Sequence, residues 1–557
     1  IIPTLSRREI VGYRWIVVSI VALAFLSFGL WVHHMYSVGI PHFALGLFSA
    51  ASMAVAVPTS VQIFAWIATL ATGRPQLRIP MLYLFGFFFN FVLGGLTGVM
   101  VAVVPFDWQT HDTQFIVAHL HYVLIGGFVF PMLAAAYYWL PHFTGRAPVL
   151  SLGVVAFWLI FIGFNLTFLI MHWTGLAGMP RRVFTYESGL GWDLPNFISS
   201  VGAFVMAIGF AVFVVDLLVQ VRFGKRIRRN PWWATTLEWT TPTPPPSYNF
   251  AAIPAVASRT PLRHADLVDR VQKGDGYLGF VRNDWLETIG VDMIDGRVEQ
   301  IVILPKPTFL PLCSAIATGV FFLSALFGQY GLALAGAVAT ALSFLLWSRA
   351  SGLRQDHGLL PVGRGEQAPP HTEVPGSPAW WGAVLAVAAD VAAFASLSSG
   401  LFFLWISAPA WPPREFYHPD AAASIVAAAA LVAAAWSARR AIAANRVGAP
   451  RHRGAWLILT AAVQALAFVL LLVIAQAAPD PTRHAYAAVT MLLLAYCCLH
   501  CGIAFLFAVM SFGRACAGHF SAARWSDLRV ARLWQDYAAA VGAATLAILW
   551  GAPWLMK

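Results

Sequence analysis

Charged side chains are scarce in this sequence: they make up 11% of the 557 residues, while 59% are hydrophobic. A soluble domain carries about 25% charged residues, so an ordinary soluble globular protein is excluded. Acidic groups are rarer still, 24 against 35 Lys and Arg, leaving a formal net charge of +11. That excess is not a nucleic-acid footprint. The basic residues sit in short loops between apolar runs, where they set membrane topology. Cysteine is sparse as well. The five at positions 313, 497, 498, 501 and 516 form no disulfide framework. Cys497, Cys498, His500 and Cys501 look superficially like a metal cluster, but they lie inside an apolar run without a partner motif and read as small-residue helix packing. No signal peptide and no short-period repeat is visible. Position 1 is Ile rather than Met, as expected of a fragment of a longer product.

What is abundant is apolar length. A spanning helix needs about 20 mostly apolar residues. By that measure the chain is predicted to be an all-α, polytopic membrane protein with thirteen spans in two groups. Six are expected near 13–32, 43–71, 80–104, 113–140, 149–173 and 194–221, and seven near 308–327, 330–347, 379–408, 420–444, 454–478, 485–511 and 533–555. The division expected is a first region 1–250, a cytoplasmic linker 251–307 with some local structure, and a second region 308–557. Aromatic residues reach 14%, with 23 Trp, as suits membrane interfaces. With residue 1 on the inner side, the inner loops hold Arg7, Arg8, Arg74, Arg78, Arg146, Lys225, Arg226, Arg228 and Arg229, then Arg349, Arg354, Arg439, Arg440, Arg451, Arg453, Arg514, Arg524 and Arg529. The outer loops of the first group are almost free of basic residues. The exception is the pair Arg181–Arg182, which suggests a local anion.

Histidine inside a span is costly and usually functional. Four histidines sit in two tight groups, His33–His34 in WVHHMY and His119 with His121 in VAHLHY. Residues two apart on a helix point about 200° away from each other. His119 and His121 therefore cannot share one metal, but each can hold a planar cofactor on its own flank. His33 and His34 differ by about 100°, which lets both reach one ion where the helix is distorted; imidazole suits copper, iron and zinc. In this topology His33–His34 end the first span on the outer side. His119 lies roughly 10 Å below the outer start of the fourth, which His111–Asp112 mark. The four histidines, the His–Asp pair and the arginine pair all collect toward one side.

At these residues the chain resembles the catalytic subunit of the haem–copper terminal oxidases, specifically its helices seven to twelve. The matching motifs are WVHHMYSVG (Trp31–Gly39), VPTSVQIF (Val57–Phe64), GGLTG (Gly94–Gly98), HDTQFIVAHLHY (His111–Tyr122) and MPRR (Met179–Arg182), followed by an exit segment at Asn230–Phe250. The resemblance implies His33 and His34 as ligands of the copper called CuB. It implies His119 as proximal ligand of the high-spin haem and His121 as an axial ligand of the low-spin haem. Arg181 and Arg182 would pair with haem propionates, and His111 and Asp112 would hold magnesium or manganese. More loosely, the second region resembles the seven-helix third subunit of the same enzymes, through Trp380–Trp381, His484, Leu499–His500 and Trp534–Tyr537, with Asp390 where that family has a buried Glu. Bacterial fusions of the two subunits occur. The implied activity is reduction of dioxygen to water with electrons from cytochrome c, or alternatively quinol, coupled to proton translocation. It would use two haems, haem A by family default, in a bacterial inner membrane beside a copper-containing subunit II.

The chain also departs from that family. The third CuB histidine, the second low-spin haem ligand and the acids of one proton route would lie upstream of residue 1, so another polypeptide or an N-terminal half must supply them. A lysine that many members carry is Gln62 here, in Pro58-Thr59-Ser60-Val61-Gln62. With Thr59 it could hold water in a variant proton path, and Asp390 is a further candidate for proton movement. Two rivals remain. A transporter would need discontinuous helices and paired repeats, and a non-catalytic assembly subunit would hold no copper.

Overall fold

The computed structural model describes residues 1–227, 230–256, 258–263, 266–279, 281–282, 284–292, 294–353, 357–371, 378–409 and 416–555. Arg228, Arg229 and Arg354 of the charge pattern lie outside them. The chain is an all-α multi-pass membrane protein. All thirteen predicted stretches are helical, but among the described residues eleven helices are long and apolar enough to cross a membrane. Leu310–Leu326 is apolar but 17 residues long. Ser526–Leu555 is 30 residues long, but its opening turns carry Asp527, Arg529, Arg532 and Asp536.

Two compact units divide the chain: residues 1–250 with 254–273, and 251–253 with 274–557. In the first, Tyr13–Phe28 continues into a 3₁₀ turn, Trp31–Met35, which carries His33 and His34. The second span is broken at Val55, between His42–Ala54 and Ala56–Thr72. Ile79–Ala102, Leu152–Leu176 and Asp193–Phe223 are continuous helices. The fourth span, Gln114–Thr144, changes winding: an α-helix over Gln114–His121, a π-helix over Tyr122–Val129, then α again over Phe130–Thr144. Large apolar side chains such as Trp15, Phe28, Phe43 and Phe204 point outward, as they do where lipid is the solvent.

Glycines bring two of these helices together. A Cβ on Gly163 would lie 2.4 Å from the Met206 backbone nitrogen, and one on Gly202 would lie 2.6 Å from that of Thr167. Small residues allow such approach, and packing then takes the place of a hydrophobic drive that lipid does not supply. The core between the helices is aromatic, with Tyr83, Tyr122, Phe130, Tyr137, Tyr138, Phe164 and Trp239 all buried. A buried phenol needs a partner for its hydroxyl. Tyr137 donates to Asp216 Oδ2 at 2.8 Å, and Tyr138 donates to Thr4 Oγ1 at 3.1 Å.

The second unit opens with more order than a plain linker. Strands Leu286–Val291 and Val298–Leu304 form an antiparallel hairpin. Asp292 Oδ1 accepts the Ile294 and Asp295 amides at 2.7 and 3.0 Å, and Gly296 takes φ +71°. This is the local side-chain turn that Asp and Gly favour. A shorter hairpin, Leu360–Gly363 with Glu366–Ala368, packs Val362 and Ala368 against Ile301. The long helices then follow, and four of them, Ala421–Arg446, Pro450–Gln476, Ala485–Cys516 and Ser526–Leu555, enclose a core in which alanines and cysteines alternate with aliphatic side chains such as Leu431, Leu471, Ile474 and Leu494. Cys497, Cys498 and Cys501 are free thiols within it.

Candidate metal and cofactor site

The first unit brings the predicted histidines to the end of its helices where two loops meet. His111-Asp112-Thr113 runs beside the loop after Leu152–Leu176. Gln114 donates its amide to the Met179 carbonyl at 2.9 Å, Arg181 donates its own to the Asp112 carbonyl at 2.8 Å, and Thr113 pairs with Pro180. Gly175 makes this possible, because a Cβ there would overlap the Phe115 backbone. Asp112, at φ +57°, turns its carboxylate to the Arg181 guanidinium, and the two form an ion pair. Arg181 Nε is buried and has no partner among the described residues, which leaves a donor for a further anion. Arg182, at φ +68°, is exposed.

His33 and His34 lie side by side, ring centroids 4.3 Å apart and planes inclined at 59°. The Ser52 hydroxyl donates to the Phe48 carbonyl at 2.6 Å, so its oxygen is left to accept from His33 Nδ1 at 3.1 Å. That fixes the tautomer with the His33 Nε2 lone pair free. His119 is held in the same way. Its Nδ1 sits 3.1 Å from the Gly94 carbonyl and 3.2 Å from Thr97 Oγ1, and Gly98 leaves space for its Cε1. His121 Nδ1 meets the Val117 carbonyl at 2.7 Å, and its ring stacks on Phe168 at 4.1 Å and 12°. His119 thus faces the Ile79–Ala102 helix and His121 the Leu152–Leu176 helix. In each the Nδ1 contact leaves Nε2 as the remaining nitrogen, so the two imidazoles would offer a donor on separate flanks of the span.

Among the described residues no three His, Cys, Asp or Glu side chains gather closely enough to hold a metal ion. His33 and His34 are thus a pair of donors rather than a complete set. His111 lies between two carboxylates, 3.1 Å from Asp107 and 4.0 Å from Asp112. Sequence reasoning missed Asp107. It is buried, and burial pushes its carboxyl above the usual carboxylate range while His111 opposes the shift. Its one sequence signal was the four-residue spacing to His111. Also missed was His172, whose Nε2 is buried without a partner beside Tyr122 and Phe115.

The other predicted residues do not join this site. Thr59 donates to the Val55 carbonyl at 3.0 Å, and Gln62 is buried with Nε2 unpartnered among the described residues. Asp390 belongs to the second unit. It is not fully buried as the family's Glu is: a third of its side chain is exposed. Its carboxylate lies 3.5 Å from His500 Nε2.

Fold and site together define a multi-pass helical membrane protein with two pairs of histidines near the end of its spans. Comparison with known proteins makes this more specific. Residues 1–205 match the family model "Cytochrome C and Quinol oxidase polypeptide I". Cytochrome c oxidase subunit 1 of Alkalihalophilus pseudofirmus is 44% identical over 263 residues, 47% of this chain and 42% of that protein. The putative cytochrome c oxidase subunit 1-beta of Streptomyces coelicolor is 42% identical, over 49% and 48% of the two chains. Quinol oxidase subunit 1 of Bacillus subtilis is 41% identical, over 47% and 41%. The chain spans less than half the length of each of these relatives.

Proposed function

We propose that this chain supplies the C-terminal half of the catalytic polypeptide of a respiratory terminal oxidase, joined to a subunit III-like unit, in a bacterial inner membrane. The reaction is reduction of dioxygen to water with electrons from cytochrome c, coupled to proton translocation. The observation that carries the reading is the shared state of His33, His119 and His121. In each, Nδ1 is engaged by an oxygen within the unit and Nε2 is free.

In this reading His119 holds the high-spin haem (haem A by family default), His121 the low-spin haem, and His33 with His34 the copper CuB. These groups, when bound, supply the electron transfer and the cleavage of the O–O bond. The chain's own residues orient and balance charge. Gly94, Thr97 and Ser52 fix the imidazole tautomers. Arg181 and Arg182 pair with propionates, the former through its spare Nε, and His111 with Asp112 holds magnesium or manganese. Gln62 and Thr59 belong to a water-filled proton route. A partner chain or N-terminal half supplies the remaining ligands, and a copper-containing subunit II passes electrons in.

Quinol is the competing donor, favoured by the 41% identity to a quinol oxidase subunit 1. The test is the reduced-minus-oxidised and carbon-monoxide difference spectra of the complex purified through this chain, with metal analysis and a comparison of reduced cytochrome c against quinol as substrates. Two haems, one binding carbon monoxide, and at least one copper are expected. Haem-free preparations would sink the reading.

A further inference from the structure

Three polar side chains, two buried and one half-buried, lie in the aromatic core below the histidines, and none belongs to the roles proposed above. Tyr122 and Asn90 are fully buried. The Tyr122 hydroxyl donates to Asn165 Oδ1 at 2.6 Å, while Asn165 Nδ2 donates to Asn90 Oδ1 at 3.2 Å and to the Phe161 carbonyl at 2.9 Å. Two acceptors on its nitrogen fix the orientation of the Asn165 amide, so its oxygen is held out to Tyr122. An amide in a membrane core is costly unless it is paired, and these links tie three helices together: Ile79–Ala102, Leu152–Leu176 and the Gln114–Thr144 span.

The place of attachment gives the links their meaning. Tyr122 directly follows His121 and is the first residue of the π-wound stretch. It lies three residues after His119, about 60° round the helix and one turn below. Glycines on both sides let the backbones touch there. A Cβ on Gly94 would lie 3.0 Å from Tyr122, and one on Gly126 would lie 2.7 Å from Asn90 Cβ. At a change of winding the backbone ladder is a weak guide to rotation, so a side-chain tether at this residue sets the phase of the turn above it. A rotation of about 10° displaces a group about 6 Å from the helix axis by about 1 Å, which is large for an axial ligand.

We propose that Asn90, Asn165 and Tyr122 form a polar clamp that positions His119 and His121 together. This rests on the reading of those histidines as ligands of two haems. Because both sit on the turn the clamp anchors, loosening it moves both centres at once. The test uses the complex purified through the full chain, comparing the parent with Tyr122→Phe, Asn90→Leu and Asn90→Asp by haem content and by the positions of both reduced haem bands. Tyr122→Phe and Asn90→Leu are expected to retain haem and to shift both bands. Asn90→Asp, which keeps an oxygen facing Asn165, stays with the parent. Haem-replete Tyr122→Phe and Asn90→Leu with either band unmoved would overturn the clamp alone. Should Asn90→Leu fail to assemble, Tyr122→Phe decides, since it removes one oxygen and no packing volume. A parent without haem would overturn the functional reading and the clamp with it.

Discussion

The first unit fills its interior with aromatic rings, Tyr83, Tyr122, Phe130, Tyr137 and Phe164 among them, whereas the four-helix core of the second is built on alanine, with Ala427, Ala434, Ala438 and Ala441 along one helix. Each choice has a consequence. Alanine lets helices approach evenly and leaves no room between them, so Ser437 of one helix meets Thr460 of the next at 2.8 Å. Aromatic rings hold helices further apart except where a glycine interrupts. Close approaches fall at glycines, and two of them, Gly94 and Gly98, lie beside Tyr122 and His119. The unit with the aromatic core is the one for which cofactors are proposed.

The sharpest way to break that comparison is to remove histidines from both units. His119→Leu is expected to abolish the carbon-monoxide-binding haem signal, and His121→Leu the other haem signal, in difference spectra of the purified complex. His500→Leu, in the second unit and more deeply buried than either, leaves both at parental intensity. A smaller effect separates two glycines by thermal unfolding midpoint. At Gly163 a Cβ meets the Met206 backbone, which cannot move aside, while at Gly542 it meets the far end of Leu431 at 2.3 Å, which can. Overpacking costs about 1–3 kcal/mol, and replacing glycine in a helix returns about 1 kcal/mol. Gly163→Ala should therefore lose about 1 kcal/mol net and at most about 2, and Gly542→Ala close to nothing. Smallest is Ser437→Ala, which deletes one interhelical hydrogen bond. Because Thr460 still bonds the Trp456 carbonyl, a loss of about 0.6 kcal/mol is expected, within the range measured for such bonds in membranes.

The helices and the histidine pairs were legible because both are local signals: runs of apolar residues, and adjacency at offsets of one and two. The opposed flanks of His119 and His121 follow from helical geometry alone. Asp107 escaped because its four-residue spacing to His111 begins in a helix of only seven residues, too short for periodicity to stand out. Asn90 and Asn165 are 75 residues apart, and no pattern in a single sequence joins two such amides. The hairpin at Leu286–Leu304 was hidden in a stretch whose polarity suggested a linker, although its Asp-Gly turn could have marked it. Helix counting is least decisive at Ser526–Leu555, whose opening turns carry Asp527, Arg529, Arg532 and Asp536.

The looser winding over Tyr122–Val129 has an evolutionary consequence as well. A plain α-helix carries one continuous set of faces, so a residue that improves packing at one end constrains those a whole number of turns away. Here the change of pitch breaks that bookkeeping between Gln114–His121 and Phe130–Thr144. The half that carries His119 and His121 can keep its spacing while the far half, around Tyr137 and Tyr138, drifts to suit its own neighbours. One span then behaves as two inheritable pieces.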